Sequence, residues 1–125
     1  MEVFNEIIEW NKSRNNVEFN CVNEYQMLSE ELTEFLTAYN EEIEEDMIDA
    51  LCDIIVVATG AIHKLGYDPK LSMIETIKEI SSRQQDPQQK EIWEKWGVSG
   101  KWMKNKEQPK DTLYKADYKK ALNEI

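Results

Sequence analysis

Ten of the twenty-four residues in EELTEFLTAYNEEIEEDMIDALCD, positions 30–53, are Asp or Glu, and none is Lys or Arg. Two subsets have a spacing that could do chemistry. Glu30 and Glu34 are i, i+4 neighbours on a helix, with Glu31 flanking them on the same broad face. Asp46, Asp49 and Asp53 are three and four residues apart and line one helical stripe. Like charges in such rows repel and raise one another's pKa values, a penalty that a bound divalent cation removes. Magnesium suits the set, because it is hard, prefers oxygen ligands and retains waters. For the glutamates alone, a wet helix face opposite an apolar seam is the ordinary alternative. Asp53 changes the balance. It is the only charged residue in ALCDIIVVATGAI, positions 50–62. A carboxylate on a helix that is apolar nearly all round costs several kcal/mol unless it is paired or holds a metal. No Lys or Arg lies nearby in sequence to neutralise it.

The charge distribution supports that chemistry. Net charge is −10, yet outside residues 30–53 acids and bases are equal at 15 each. Between Arg83 and Lys120 ten bases face six acids. One acidic segment and one mildly basic one suit a phosphate ligand carried on metal ions. They do not suit wrapping of nucleic acid, which wants a basic face. The single histidine, His63, excludes most His-based metal sites and Ser–His–Asp or Cys–His centres. Cys21 and Cys52 show no CxxC spacing and sit at apolar-face positions, so reduced core thiols are expected.

These residues must be positioned by helices. Val3, Phe4, Ile7 and Ile8 predict a short amphipathic helix over 3–12. Cys21, Tyr25, Leu28, Leu32, Phe35, Leu36 and Tyr39 predict the inward face of a long helix over 19–39. After the polar connector NEEIEE, a third helix is expected from 46 to 65, ending at Gly66 with Pro69 behind it. DPKLSMIETIKEISSR reads as a fourth, with Leu71, Ile74, Ile77 and Ile80 inward. Residues 88–96 suggest a helical turn or two, and the rest an extended arm with a short final helix. The expectation is an all-α antiparallel helical bundle built on two long central helices, with a C-terminal arm. At 125 residues the chain is expected to be one domain over 1–125, with its core at about 19–83 and the arm at about 97–125. The start of the chain does not resemble a signal peptide, and the longest apolar stretch, around 54–62, is too short to span a bilayer. A cytoplasmic protein is expected, with no membrane contact.

EELTE, followed after a short connector by DMIDALCDIIVVATGAIHKLGYDP, resembles the all-α nucleoside triphosphate pyrophosphohydrolases, the MazG-like superfamily. That group includes phosphoribosyl-ATP pyrophosphohydrolases and dimeric dUTPases. Its signature is EExxE, then ExxD on the next helix. Glu30, Glu31 and Glu34 match the first half. Asp46 and Asp49 fit a DxxD version of the second, with Asp53 as an additional inner carboxylate; placing Asp53 as the final acid puts Ala50 where the family has Glu. EISSR and GKWMK stand where a phage and bacterial branch has an EVxxSN-like motif and a GKxxK-like arm. The resemblance covers about residues 20–105.

The resemblance implies hydrolysis of a nucleoside triphosphate between the α and β phosphates, giving a monophosphate and pyrophosphate. Mg²⁺, with Mn²⁺ able to substitute, would be held by Glu31, Glu34, Asp46, Asp49 and Asp53. Glu30 is the expected catalytic residue, orienting or deprotonating water. Arg83, Lys101 and Lys104 are expected to bind the outer phosphates. Lys64 lies on the stripe of Asp46 and Asp53, about three turns beyond Asp53, so it is expected to reach a distal part of the ligand or a neighbouring subunit. Trp93, Trp96, Trp102, Tyr114 and Tyr118 either stack on a base or seal an arm against a partner subunit. A homodimer or homotetramer is expected, since two central helices with modest flanking helices leave apolar surface over. The competing reading is an acidic helical interaction module without catalytic activity. Di-iron and EF-hand chemistry fail on the lack of Glu-x-x-His and of a DxDxDG-type loop.

Overall fold

The computed structural model describes residues 1–123 and is all-helical, with no named strand among them. Five α-helices follow in order: α1 (Val3–Ser13), α2 (Cys21–Asn40), α3 (Glu44–Lys64), α4 (Pro69–Ser82) and α5 (Pro87–Trp96). Two short 3-10 turns, Lys110–Thr112 and Tyr118–Ala121, follow among the described residues. The packing forms two compact units, residues 1–69 with Leu122 and Asn123, and residues 70–121. Among the described residues no helix is long and apolar enough to cross a membrane.

In the first unit each helix end is written in local chemistry. Glu2 caps α1 by accepting a hydrogen bond from the Phe4 amide at 3.0 Å. Asn15, at φ 57°, breaks α1 in the left-handed region that Asn tolerates. Asn20 caps α2 by accepting from the Asn23 amide at 3.0 Å. The α2–α3 connector is so short that the helices must run antiparallel. It turns through Glu42 at φ 59°, with the Ile43 amide donating back to Ala38 O at 3.0 Å. Glu44, Glu45 and Asp46 occupy the first turn of α3, where the helix dipole favours negative charge. Gly66, at φ 95° with nothing within 4 Å of an added Cβ, ends it. The Gly66 carbonyl also accepts from the Asn123 amide at 2.9 Å. These two left-handed positions predict opposite outcomes. Glu42→Gly should raise stability and Gly66→Ala lower it, each by about 1 kcal/mol, because a Cβ in this region costs roughly 1–2 kcal/mol. Thermal melts of the two variants check both signs.

α2 packs on α3, and α1 packs on α3 as well. Small residues allow the approach: Ala38 and Ala50 are buried, as are Thr59 and Gly60. The face that α2 turns inward shares only Leu28 and Phe35 with the expected one. Glu24 and Ala38 are buried, and Met27, Leu28, Glu31 and Phe35 are half-buried between them. Tyr25, Leu32, Leu36 and Tyr39 are 58–70% exposed, and Cys21 and Cys52 are exposed rather than core thiols. The helix carries two adjacent heptad-like stripes, and the more apolar one is left uncovered. α3 likewise shows Ile48, Leu51 and Ile55 to the outside.

In the second unit, α4 also buries a face other than the expected one. Leu71, Ile74 and Ile77 are exposed and Ile80 is half-buried, whereas Ser72 and Glu75 are buried. The cause is the C-terminal segment, which is fastened to α4 by polar bonds. Tyr114 donates its hydroxyl to Glu75, the Asp117 amide donates to the same carboxylate oxygen at 3.0 Å, and the Ala116 amide donates to Glu79 at 3.3 Å. The Tyr118 hydroxyl pairs with Thr76 Oγ1 at 2.8 Å. Gln108 closes the C-terminal end of α4, donating to Ser82 O at 2.9 Å and accepting from the Gln84 amide at 2.8 Å. α5 is three turns rather than one or two. It is capped by Asp86, which accepts from the Gln88 and Gln89 amides, led by Pro87 and ended by Gly97 at φ 62°.

The bonds from Tyr114 and the Asp117 amide hold the Glu75 carboxyl down at about 2, against an ordinary 4.5. A depressed carboxylate stabilises above its unfolded value, so this contribution is lost as pH falls from about 4.5 towards 2. Glu75→Gln should remove that acid sensitivity and loosen the strap. Hydrogen exchange at the Ala116 and Asp117 amides should quicken while α2 and α3 keep their protection.

Candidate metal centre

Within the first unit, α2 and α3 bring three acids together. Glu31, Glu34 and Asp53 each offer an oxygen within 4.8 Å of the others. Glu31 lies on the stripe that α2 packs against α3, so its carboxylate is drawn between the helices. Glu34 is exposed beside it, and Asp53 is half-buried on the facing helix. The Glu31 carboxyl is pushed up to about 7 from 4.5. Burial is the main cause, followed by its hydrogen bond with Glu34 and by the charges of Asp53, Glu34 and Asp49. Glu31 Oε2 is buried with no hydrogen-bond partner. An orphaned carboxylate oxygen among like charges is strained in a way that a hard cation relieves, and an all-oxygen donor set from three acids fits Mg²⁺.

Asp46 and Asp49 are exposed and stand with Glu34 and Thr37 around an open depression of about 270 Å³. Glu34 therefore borders both groups, and the Asp49 charge is felt at Glu31. The compact group of acids thus joins Asp53, rather than the Asp46 and Asp49 pair, to Glu31 and Glu34. Glu30 is exposed and outside the three-acid group, on a shallower depression with Ser29, Thr33 and Glu34.

Of the basic candidates, Arg83 is engaged within the second unit. Arg83 donates to Trp102 O at 2.6 Å and lies 3.5 Å from Glu79, holding the loop after α5. Lys101 and Lys104 are exposed in the second unit, and Lys104 borders a cavity of about 420 Å³ with Trp93 and Met103. Lys64 does not reach outward. Its Nζ lies 2.5 Å from Glu24 Oε1, and the two side chains are 2% and 6% exposed. Glu24 was not among the expected site residues. The signal for it was its place seven residues before Glu31, on the same helical stripe.

Residues 2–84, spanning α1 to α4, match the family described as Phosphoribosyl-ATP pyrophosphohydrolase. No curated protein and no solved structure matches the chain.

Proposed function

The chain belongs to the phosphoribosyl-ATP pyrophosphohydrolase family, within the MazG-like all-α superfamily, and on that premise we propose that it is a Mg²⁺-dependent hydrolase cleaving the α–β phosphoanhydride of a nucleoside triphosphate. The products are the monophosphate and pyrophosphate. The observation that carries the reading is the convergence of Glu31, Glu34 and Asp53 from two helices, within 4.8 Å of one another. These three, with Asp46 and Asp49 on the adjoining depression, would hold Mg²⁺, or Mn²⁺ in its place. The ion would neutralise phosphate oxygens and polarise the α-phosphorus. Glu30, beside Glu34 but outside the ligand group, orients or deprotonates the attacking water.

The uncovered apolar stripe of α2 and α3, with Leu32, Leu36, Tyr39, Ile48 and Ile55, supports a homodimer or homotetramer. We place the enzyme in the cytoplasm, where nucleoside triphosphates are found. Incubating the protein with ribo- and deoxynucleoside triphosphates and Mg²⁺ or Mn²⁺, then separating the products, tests the activity. Pyrophosphate and a monophosphate are expected. Orthophosphate would reject the mechanism, and no turnover of any nucleotide would reject the enzyme.

A further inference from the structure

Far along the chain from the acid cluster, the second unit holds a cavity of about 420 Å³. One side is the start of α5, from Asp86 to Trp93, and the other is the loop that follows α5, from Met103 to Lys106. The volume lies within the roughly 300–1,000 Å³ of small-molecule sites.

Hydrogen bonds fix the loop against the helix. The chain turns back at Gly97, where the Val98 amide donates to Trp93 O at 3.1 Å. Gln89 is 7% exposed and commits both ends of its amide to the loop. Its Oε1 accepts from the Met103 amide at 3.0 Å, and its Nε2 donates to Lys101 O at 3.4 Å. Arg83 holds Trp102 O, and Asn105 Nδ2 donates to Gln85 O at 3.5 Å. Residues 101, 102, 103 and 105 are therefore tied, and the two lysines at 104 and 106 stand on a fixed backbone. Such a wall is formed before any ligand arrives.

Two features of the lining have no partner within the protein. Ile92 and Met103 are 54% and 58% exposed beside the half-buried Trp93, which leaves an apolar surface uncovered. Lys104 and Lys106 are exposed, and among the described residues no carboxylate forms an ion pair with either. The one acid in the lining, Asp86, accepts from the Gln88 and Gln89 amides at 2.9 and 3.1 Å. Its charge is thus set against the N-terminus of α5.

We propose that this cavity binds a small aromatic phosphate, with the ring against Trp93, Ile92 and Met103 and the phosphate held by Lys104 and Lys106. A phosphate monoester carries close to two negative charges at pH 7, which two ammonium groups match and a carboxylate does not. Neither a neutral ring nor inorganic phosphate satisfies both halves of the lining. The site lies wholly in the second unit, so it stands or falls apart from the reading of the acid cluster.

The test is an NMR titration of the full chain with phenyl phosphate, following the Trp93 indole N–H and the Met103 methyl group. Chelator is present throughout, so that no divalent cation draws phosphate to the acids of α2 and α3. Phenyl phosphate should shift both groups saturably, with a Kd of about 1 mM or below. Benzoate, phenol and inorganic phosphate, titrated in parallel, should each bind at least about tenfold more weakly. Lys104→Gln combined with Lys106→Gln should weaken phenyl phosphate by at least about tenfold. Lys110→Gln, at an exposed lysine outside the cavity, should leave the affinity unchanged. Failure of either group to shift saturably overturns the proposal. So does benzoate or inorganic phosphate binding as tightly as phenyl phosphate, or an equal loss in Lys110→Gln. The four ligand titrations use the unaltered protein and decide the matter should the double variant not fold.

Discussion

Asp53→Asn is expected to lower kcat/KM for pyrophosphate release by about 10³-fold while the helices remain intact. A metal ligand contributes several kcal/mol of charge stabilisation, and each 1.36 kcal/mol is a factor of ten in rate. Asp53 is the acid from α3 that joins Glu31 and Glu34 in one group, so no neighbour replaces it. Asp46 lies on the open depression instead, and Asp46→Asn should cost nearer tenfold. Asp53→Asn should also stabilise the metal-free protein, because the Asp53 charge is one of those that raise the Glu31 pKa. A loss of activity together with a higher melting temperature separates a functional carboxylate from a structural one. Steady-state kinetics and a thermal melt in chelator measure the two halves.

The second large effect is the dependence of stability on pH and on Mg²⁺. The Glu31 carboxyl titrates at about 7 in the folded protein against 4.5 unfolded. Between those values the native state binds more protons than the unfolded one, so stability falls as pH rises through that window. Without a divalent cation, the melting temperature should drop from pH 5 to pH 7.5. Mg²⁺ takes the place of the proton, and its stabilisation grows with the fraction of ionised carboxylate. The rise in melting temperature on adding Mg²⁺ should therefore be small at pH 5 and largest above pH 7. Glu31→Gln should flatten the metal-free profile and remove the Mg²⁺ response. Equal responses at both pH values would contradict the cluster as the cation site.

The pairing of two long antiparallel helices was legible because their apolar periodicity is long and the connector short. The acidic pattern was legible for the same reason, since i, i+3 and i, i+4 spacing survives any choice of partner face. Which stripe of α2 faces α3 was not. Residues 24, 27, 28, 31, 35 and 38 form the packed stripe, yet two of them are Glu. Hydropathy selects the neighbouring stripe with Tyr25, Leu32, Leu36 and Tyr39, which a single chain leaves exposed. The Glu24–Lys64 pair joins residues 40 apart, so nothing local announces it. On α4, the polar residue Glu75 is buried because Tyr114 and the Asp117 amide return to it from the far end of the chain. The weak apolar pattern of α5 concealed its length.

The central claim is that the acids of α2 and α3 direct water onto the α-phosphorus of a nucleoside triphosphate. Single-turnover hydrolysis in ¹⁸O-enriched water with Mg²⁺, read by ³¹P NMR, tests it most directly. The label should enter the nucleoside monophosphate alone, with unlabelled pyrophosphate released and no reaction in chelator. Label in pyrophosphate or orthophosphate, or a rate in Asp53→Asn equal to that of the unaltered protein, would contradict it.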